Sequence, residues 1–169
     1  MVKNYYKEYS SNLNRNMEFN VYGYAGLPVL VFPAQNGRFF DFENFGMLEN
    51  VRDLIDSGKI QLFCCDSIDS ESWSNENGDP RFRICRQEAW FNYIVNEIVS
   101  RINKSGKKII TTGCSMGGTH AVNFMFRRPD VFGGVISLSG YFDSNIFFGG
   151  YCDDLVYANS PIKFLQGMS

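Results

Sequence analysis

Short apolar runs alternate along the chain with segments of helical periodicity. Val2–Ser10 and Glu18–Tyr24 are aromatic and polar by turns, with Asn12, Asn14 and Asn16 between them, which predicts a pair of antiparallel strands. Pro28–Pro33 is a continuous apolar run ended by proline, and Ile60–Asp66 is another; both suit strands buried on two faces. Phe45, Leu48, Val51, Leu54 and Ile55 recur at helical spacing and predict a helix over Asn44–Ser57, stopped by Gly58. Ser67–Pro80 is rich in Ser, Asn, Asp and Gly and predicts a long loop. Trp90, Ile94 and Ile98 form a stripe, widened by Phe91, Val95, Val99 and Ile102, that predicts a helix over Arg86–Lys104. Lys107–Thr112 reads as a further strand, Gly113–Gly118 as a tight turn, Thr119–Arg128 as a helix ended by Pro129, and Val135–Ser139 as one more strand.

This alternation predicts an α/β fold: antiparallel N-terminal strands, then a mainly parallel sheet with helices on both faces. Function on such a sheet belongs to loops at the C-terminal strand ends. Here these are Ala34–Arg38, Asp66–Trp73, Gly113–Gly118 and Gly140–Asp143.

Composition narrows the possibilities. A chain of 169 residues suits a single domain, and 44% hydrophobic with 20% charged residues excludes a disordered one. Sixteen Lys and Arg against 18 Asp and Glu give a net charge of −2, with no one-sided cluster to suggest a nucleic-acid or anionic-membrane partner. No apolar run reaches the ~20 residues of a membrane helix, and the N-terminus lacks a signal peptide's apolar core. The five cysteines (64, 65, 85, 114 and 152) have no metal-ligand spacing, so no metal or cofactor is expected and a reducing cytoplasm fits best.

The chemistry-bearing segment is Thr111–Ala121, TTGCSMGGTHA, which holds G-x-S-x-G between a predicted strand and a predicted helix. A serine at a sharp strand-to-helix crossover is held strained with Oγ exposed, while Gly113 and Gly117 remove side chains where the two elements converge. The Met116 N–H, at the helix start, points where an oxyanion would form. The five-letter pattern alone would arise by chance about 0.1 times in such a chain; Gly118 and the flanking elements sharpen it. No Lys-Ser/Thr follows the glycines, which disfavours a phosphate-binding loop.

Cys114–Ala121, with Phe126–Phe132 (FRRPDVF) and Val135–Ser139, resembles the "Putative esterase" family of α/β-hydrolases, the group of esterase D-like enzymes, feruloyl and acetyl-xylan esterases and mycolyltransferases. The resemblance covers about Leu27 to Leu165. It implies a serine carboxylic-ester hydrolase that works through an acyl-enzyme on Ser115. Family members usually carry His-Gly after the third strand, where an N–H completes the oxyanion hole; this chain has Pro33-Ala34-Gln35 there. The Gln35 N–H is then the expected second donor, with that of Ala34 next.

In this fold the acid and the histidine follow the nucleophile in the chain. The chain's one histidine, His120, lies five positions after Ser115, on the helix leaving the turn, where its ring is expected beside or beneath the elbow. Asp143 reads as a loop or capping residue, and Asp66 and Asp69 as turn formers. The resemblance therefore predicts a sheet truncated after its sixth strand, with Asn159–Leu165 leading toward a seventh. The base His and acid Asp are expected downstream, and the chain alone is expected to be nearly inactive. The edge near Val135–Ser139 is expected to pair with a second copy. A small-molecule or carbohydrate-linked ester is the expected substrate, with Trp73 a candidate substrate-binding wall and Phe39, Phe40 and Phe42 another. A non-catalytic binding module and an acyltransferase of the same fold are the alternatives.

Overall fold

The apolar runs become strands of one sheet in the computed structural model, which describes residues 1–102 and 106–167. β1 (Lys3–Ser10) and β2 (Arg15–Tyr22) form the N-terminal hairpin. They are joined by β3 (Leu27–Phe32), β4 (Ile60–Cys65), β5 (Ile109–Cys114) and β6 (Phe132–Leu138) in the order β1-β2-β4-β3-β5-β6. β2 runs antiparallel to β4, and the four later strands are mutually parallel.

Alternate residues of the central strands serve opposite faces, as the pleat requires. Leu30, Phe32, Phe63 and Cys65 join one core with Trp90, Ile94, Ile98 and Phe124. Val29, Val31, Leu62 and Cys64 join the other with Leu48 and Ile55. Rings supply much of the first: Phe124 stacks on Phe32 at 4.8 Å and on Phe91 at 4.6 Å between centroids. Truncating such a buried ring costs about 3–5 kcal/mol. The adjacent Cys64 and Cys65 are both buried as small hydrophobes, and burial pushes both thiols above their ordinary range.

Three helical expectations are corrected. The segment expected as one helix over Asn44–Ser57 is three short helices, α1 (Asp41–Asn44), α2 (Met47–Asn50) and α3 (Arg52–Asp56). The breaks fall at Gly46, which is left-handed at φ 71°, and at the β-branched Val51. The helix expected from Arg86 starts six residues earlier, as α4 (Pro80–Tyr93). Asp79 caps it by accepting the Phe82 N–H at 2.8 Å, and Pro80 takes the first turn, where its missing N–H costs nothing. It continues through a π-helical turn, Ile94–Ile98, into α5 (Val99–Ile102); Asn103 and Lys104, the expected end, lie outside the described residues. The helix expected from Thr119 starts directly after Ser115, as α6 (Met116–Arg127). Asn159–Leu165, expected to lead toward a strand, follows α7 (Asp154–Ala158) and contains α8 (Pro161–Phe164).

β6 pairs only with β5 among the described residues, so it forms the sheet edge opposite β1. Ile136 and Leu138 on it are 58% and 46% exposed. No described helix is long and apolar enough to cross a membrane.

Candidate active site

β5 and α6 meet at a kink of one residue. Ser115 has φ 55° and ψ −122°, a left-handed conformation that costs a side-chain-bearing residue about 1–3 kcal/mol. The surroundings dictate it. The Ser115 N–H donates to the Leu138 carbonyl at 2.8 Å, and the Thr119 N–H donates back to the Ser115 carbonyl at 3.1 Å. A Cβ on Gly113 would fall 2.5 Å from the Gly117 carbonyl oxygen, and one on Gly117 would fall 2.5 Å from that of Pro33. Only hydrogen fits at either position, so β3, β5 and α6 can converge beneath the serine. The Ser115 side chain stays exposed, and among the described residues its Oγ has no hydrogen-bond partner.

Two main-chain amides without a hydrogen-bond partner among the described residues lie on the elbow and on the loop after β3, which starts against Gly117. Met116 is the first residue of α6, where the N–H has no partner within the helix and the helix dipole favours negative charge. In the loop after β3, residues 34–37 form a tight turn closed by the Gly37 N–H on the Ala34 carbonyl at 2.8 Å, with Asn36 left-handed at φ 56°. The Asn36 N–H is taken by Asp69 Oδ2 at 3.0 Å, whereas the Gln35 N–H has no partner among the described residues. The Gln35 side chain donates from Nε2 to Ser74 Oγ at 2.8 Å.

Asp69 ties the two halves of the site together. It is 1% exposed, and its other carboxylate oxygen stands 3.3 Å from His120 Nε2. His120 is fully buried on α6, boxed by Phe32, Trp73 and Trp90. Its Nδ1 has no partner within the described protein. The imidazole thus lies inside the fold, as its place on the helix predicts. Asp69, expected as a simple turn former, instead links the helix that presents Met116 to the loop that presents Gln35. Nothing local signals this, because the contact spans 51 residues.

Asp66 accepts from the Phe39 N–H at 2.9 Å and from Arg38 Nε at 2.8 Å. Burial raises its carboxyl above the usual range, while the Arg38 hydrogen bond opposes the rise. Phe39 is buried under the loop, and Phe42 packs against the core containing Leu48. Asp143 caps a 3-10 turn by accepting the Asn145 N–H at 3.0 Å.

Trp73 is only 1% exposed, and its Nε1 donates to Gln87 at 2.8 Å. It shares a hydrophobic cluster with Ile84, Met116, Phe148 and Val156, and it lines a cleft of about 710 Å³. That cleft is bordered by Trp73, Glu76, Arg83 and Ile146–Gly149. Another cleft, of about 510 Å³, includes Gly26, Gln61 and Lys107, at the strand ends opposite the elbow.

No curated protein matches the chain in sequence. Solved structures do match in fold. S-formylglutathione hydrolase from Agrobacterium tumefaciens is 13% identical with a TM-score of 0.74, over 98% of this chain and 70% of that one. The S-formylglutathione hydrolase of Staphylococcus aureus is 14% identical with a TM-score of 0.69, again over 98% and 70%. A ferulic acid esterase from Anaeromyces mucronatus is 15% identical with a TM-score of 0.60, over 82% of this chain and 58% of that one. In sequence, the family described as "Putative esterase" matches residues 10–163, nearly the whole chain, and the protein belongs to that family of α/β-hydrolases.

Proposed function

We propose that the protein is a serine carboxylic-ester hydrolase with Ser115 as nucleophile. In this reading Ser115 Oγ attacks the acyl carbon, its proton passes to a general base, and the carbonyl oxygen becomes an oxyanion between the N–H groups of Met116 and Gln35. Collapse of that intermediate breaks the C–O bond to the alcohol, which leaves with the proton, and water then releases the acid from Ser115 by the same route. The observation that carries the reading is the strained, exposed serine at φ 55° between a strand and a helix N-terminus.

We further propose that the base and its acid partner come from outside these 169 residues. The sole imidazole is buried against Asp69, so it is not offered to Ser115 Oγ. That same observation favours a second reading, a non-catalytic module that keeps the fold and binds without turnover. Reaction with an organophosphonate separates the two. The enzyme reading expects slow modification of Ser115 in this chain and at least about a thousandfold faster modification in a longer natural chain that supplies a late histidine. No modification in either supports the module. Adding alcohol acceptors to an ester assay of the longer chain would reveal transfer in place of hydrolysis.

A further inference from the structure

Arg83 is a buried cation without a carboxylate. It is 2% exposed, on the first turns of α4. Its Nε donates to the Ser72 carbonyl at 2.8 Å, and Nη2 donates to the carbonyls of Trp73 at 2.9 Å and Phe147 at 2.7 Å. Among the described residues no carboxylate lies within 4.0 Å of the guanidinium, and Nη1 has no hydrogen-bond partner. Nη1 is also not sealed within protein, and Arg83 borders the 710 Å³ cleft. Burial pushes the guanidinium below arginine's ordinary range, with Glu76 at the exposed rim pulling the other way. A buried charge held only by neutral dipoles is costly, and a ligand carboxylate would relieve it.

The walls define the rest of the ligand. The Arg83 guanidinium lies 4.8 Å from the Phe148 ring centroid, and Trp73 meets Phe147 and Phe148 edge-on at 5.2 and 5.5 Å. Phe147 is half-buried and Ile146 exposed on the open side, so a flat apolar group can enter beside the cation. We propose that this cleft binds a ligand bearing an aromatic ring and a carboxylate, with the carboxylate on Arg83 Nη1 and the ring against Phe147. Trp73 lines the cleft and shares a hydrophobic cluster with Met116, and its neighbour Ser74 holds the Gln35 side chain, so one wall of the cleft is continuous with the residues that carry both candidate oxyanion donors. Identifying the ligand with the part of an ester substrate that is not cleaved rests on the reading of Ser115 above; the binding site itself does not.

The test compares benzoate with its neutral isostere benzamide on the unaltered chain, by titration followed in nitrogen–proton NMR spectra. Benzoate is expected to bind at least about tenfold more tightly, as a hydrogen bond between charged groups warrants, and to move the Arg83 Nε–H and Trp73 indole signals. Phe147→Ala should weaken both ligands while keeping their ratio, and the neutral Arg83→Gln should erase the ratio. Equal affinities, no binding, or shifts confined to other residues would overturn the proposal without needing any variant to fold. The two readings fail separately, because benzoate binding needs no nucleophile and organophosphonate labelling of Ser115 needs no carboxylate.

Discussion

The elbow at residues 113–118 and the turn at residues 34–37 lie at the same ends of the neighbouring parallel strands β5 and β3, yet they are held in shape by different means. The elbow is fixed by exclusion. Gly113 and Gly117 sit against main chain that leaves no room for a Cβ, and Ser115 is held at φ 55° between them. The turn is held by distant side chains: Asp69 on the Asn36 N–H and Ser74 on the Gln35 amide. One half of the candidate oxyanion hole is therefore rigid by sterics, and the other depends on a buried carboxylate 33 residues away in the chain. The contrast implies that damage to the elbow should unfold the protein, whereas damage to the supports of the turn should loosen one donor.

Substitutions can break this contrast, and the largest effect is expected at Gly117. An added methyl would lie within 3.0 Å of main-chain oxygens of Phe32 and Pro33, so Gly117→Ala should cost about 3 kcal/mol in chemical denaturation, or abolish folding. Next comes Asp69→Asn, which cannot accept from both Asn36 and His120 with equal ease. It should cost about 2 kcal/mol and slow organophosphonate labelling of Ser115 further than the stability loss explains. Gly149→Ala is the control for Gly117. It also adds a methyl, at φ 59°, but nothing lies within 4 Å, so only the left-handed penalty of about 1 kcal/mol should appear. Gln35→Ala should have the smallest effect. It removes an exposed hydrogen bond to Ser74 while leaving the Gln35 main-chain N–H in place, and stability should change by less than about 1 kcal/mol.

The same division explains what could be read from the sequence. The elbow was legible because sterics act between near neighbours: Gly113, Ser115 and Gly117 carry their own reason for being where they are. The buried strands at Leu27–Phe32 and Ile60–Cys65 were legible as unbroken apolar runs. The start of α4 was written in Asp79-Pro80, a cap followed by a helix-initiating proline, but the polar stretch before it masked the signal. The breaks among α1, α2 and α3 were hidden because the apolar spacing of Phe45, Leu48 and Val51 runs straight across them. Asp69, His120 and Arg83 were the hard cases. Each derives its role from partners in other elements, and a lone Asp, His or Arg carries no local mark of that.

The central claim is that Ser115 Oγ is presented for nucleophilic attack by the folded chain, and fragment-ion mapping after organophosphonate treatment tests it most directly. Cys114, exposed and adjacent, provides a built-in competitor. The account predicts a single adduct on Ser115 in the native protein, absent from Ser115→Ala and from denatured chain. An adduct on Cys114 instead, or equal labelling of Ser115 after unfolding, would contradict it.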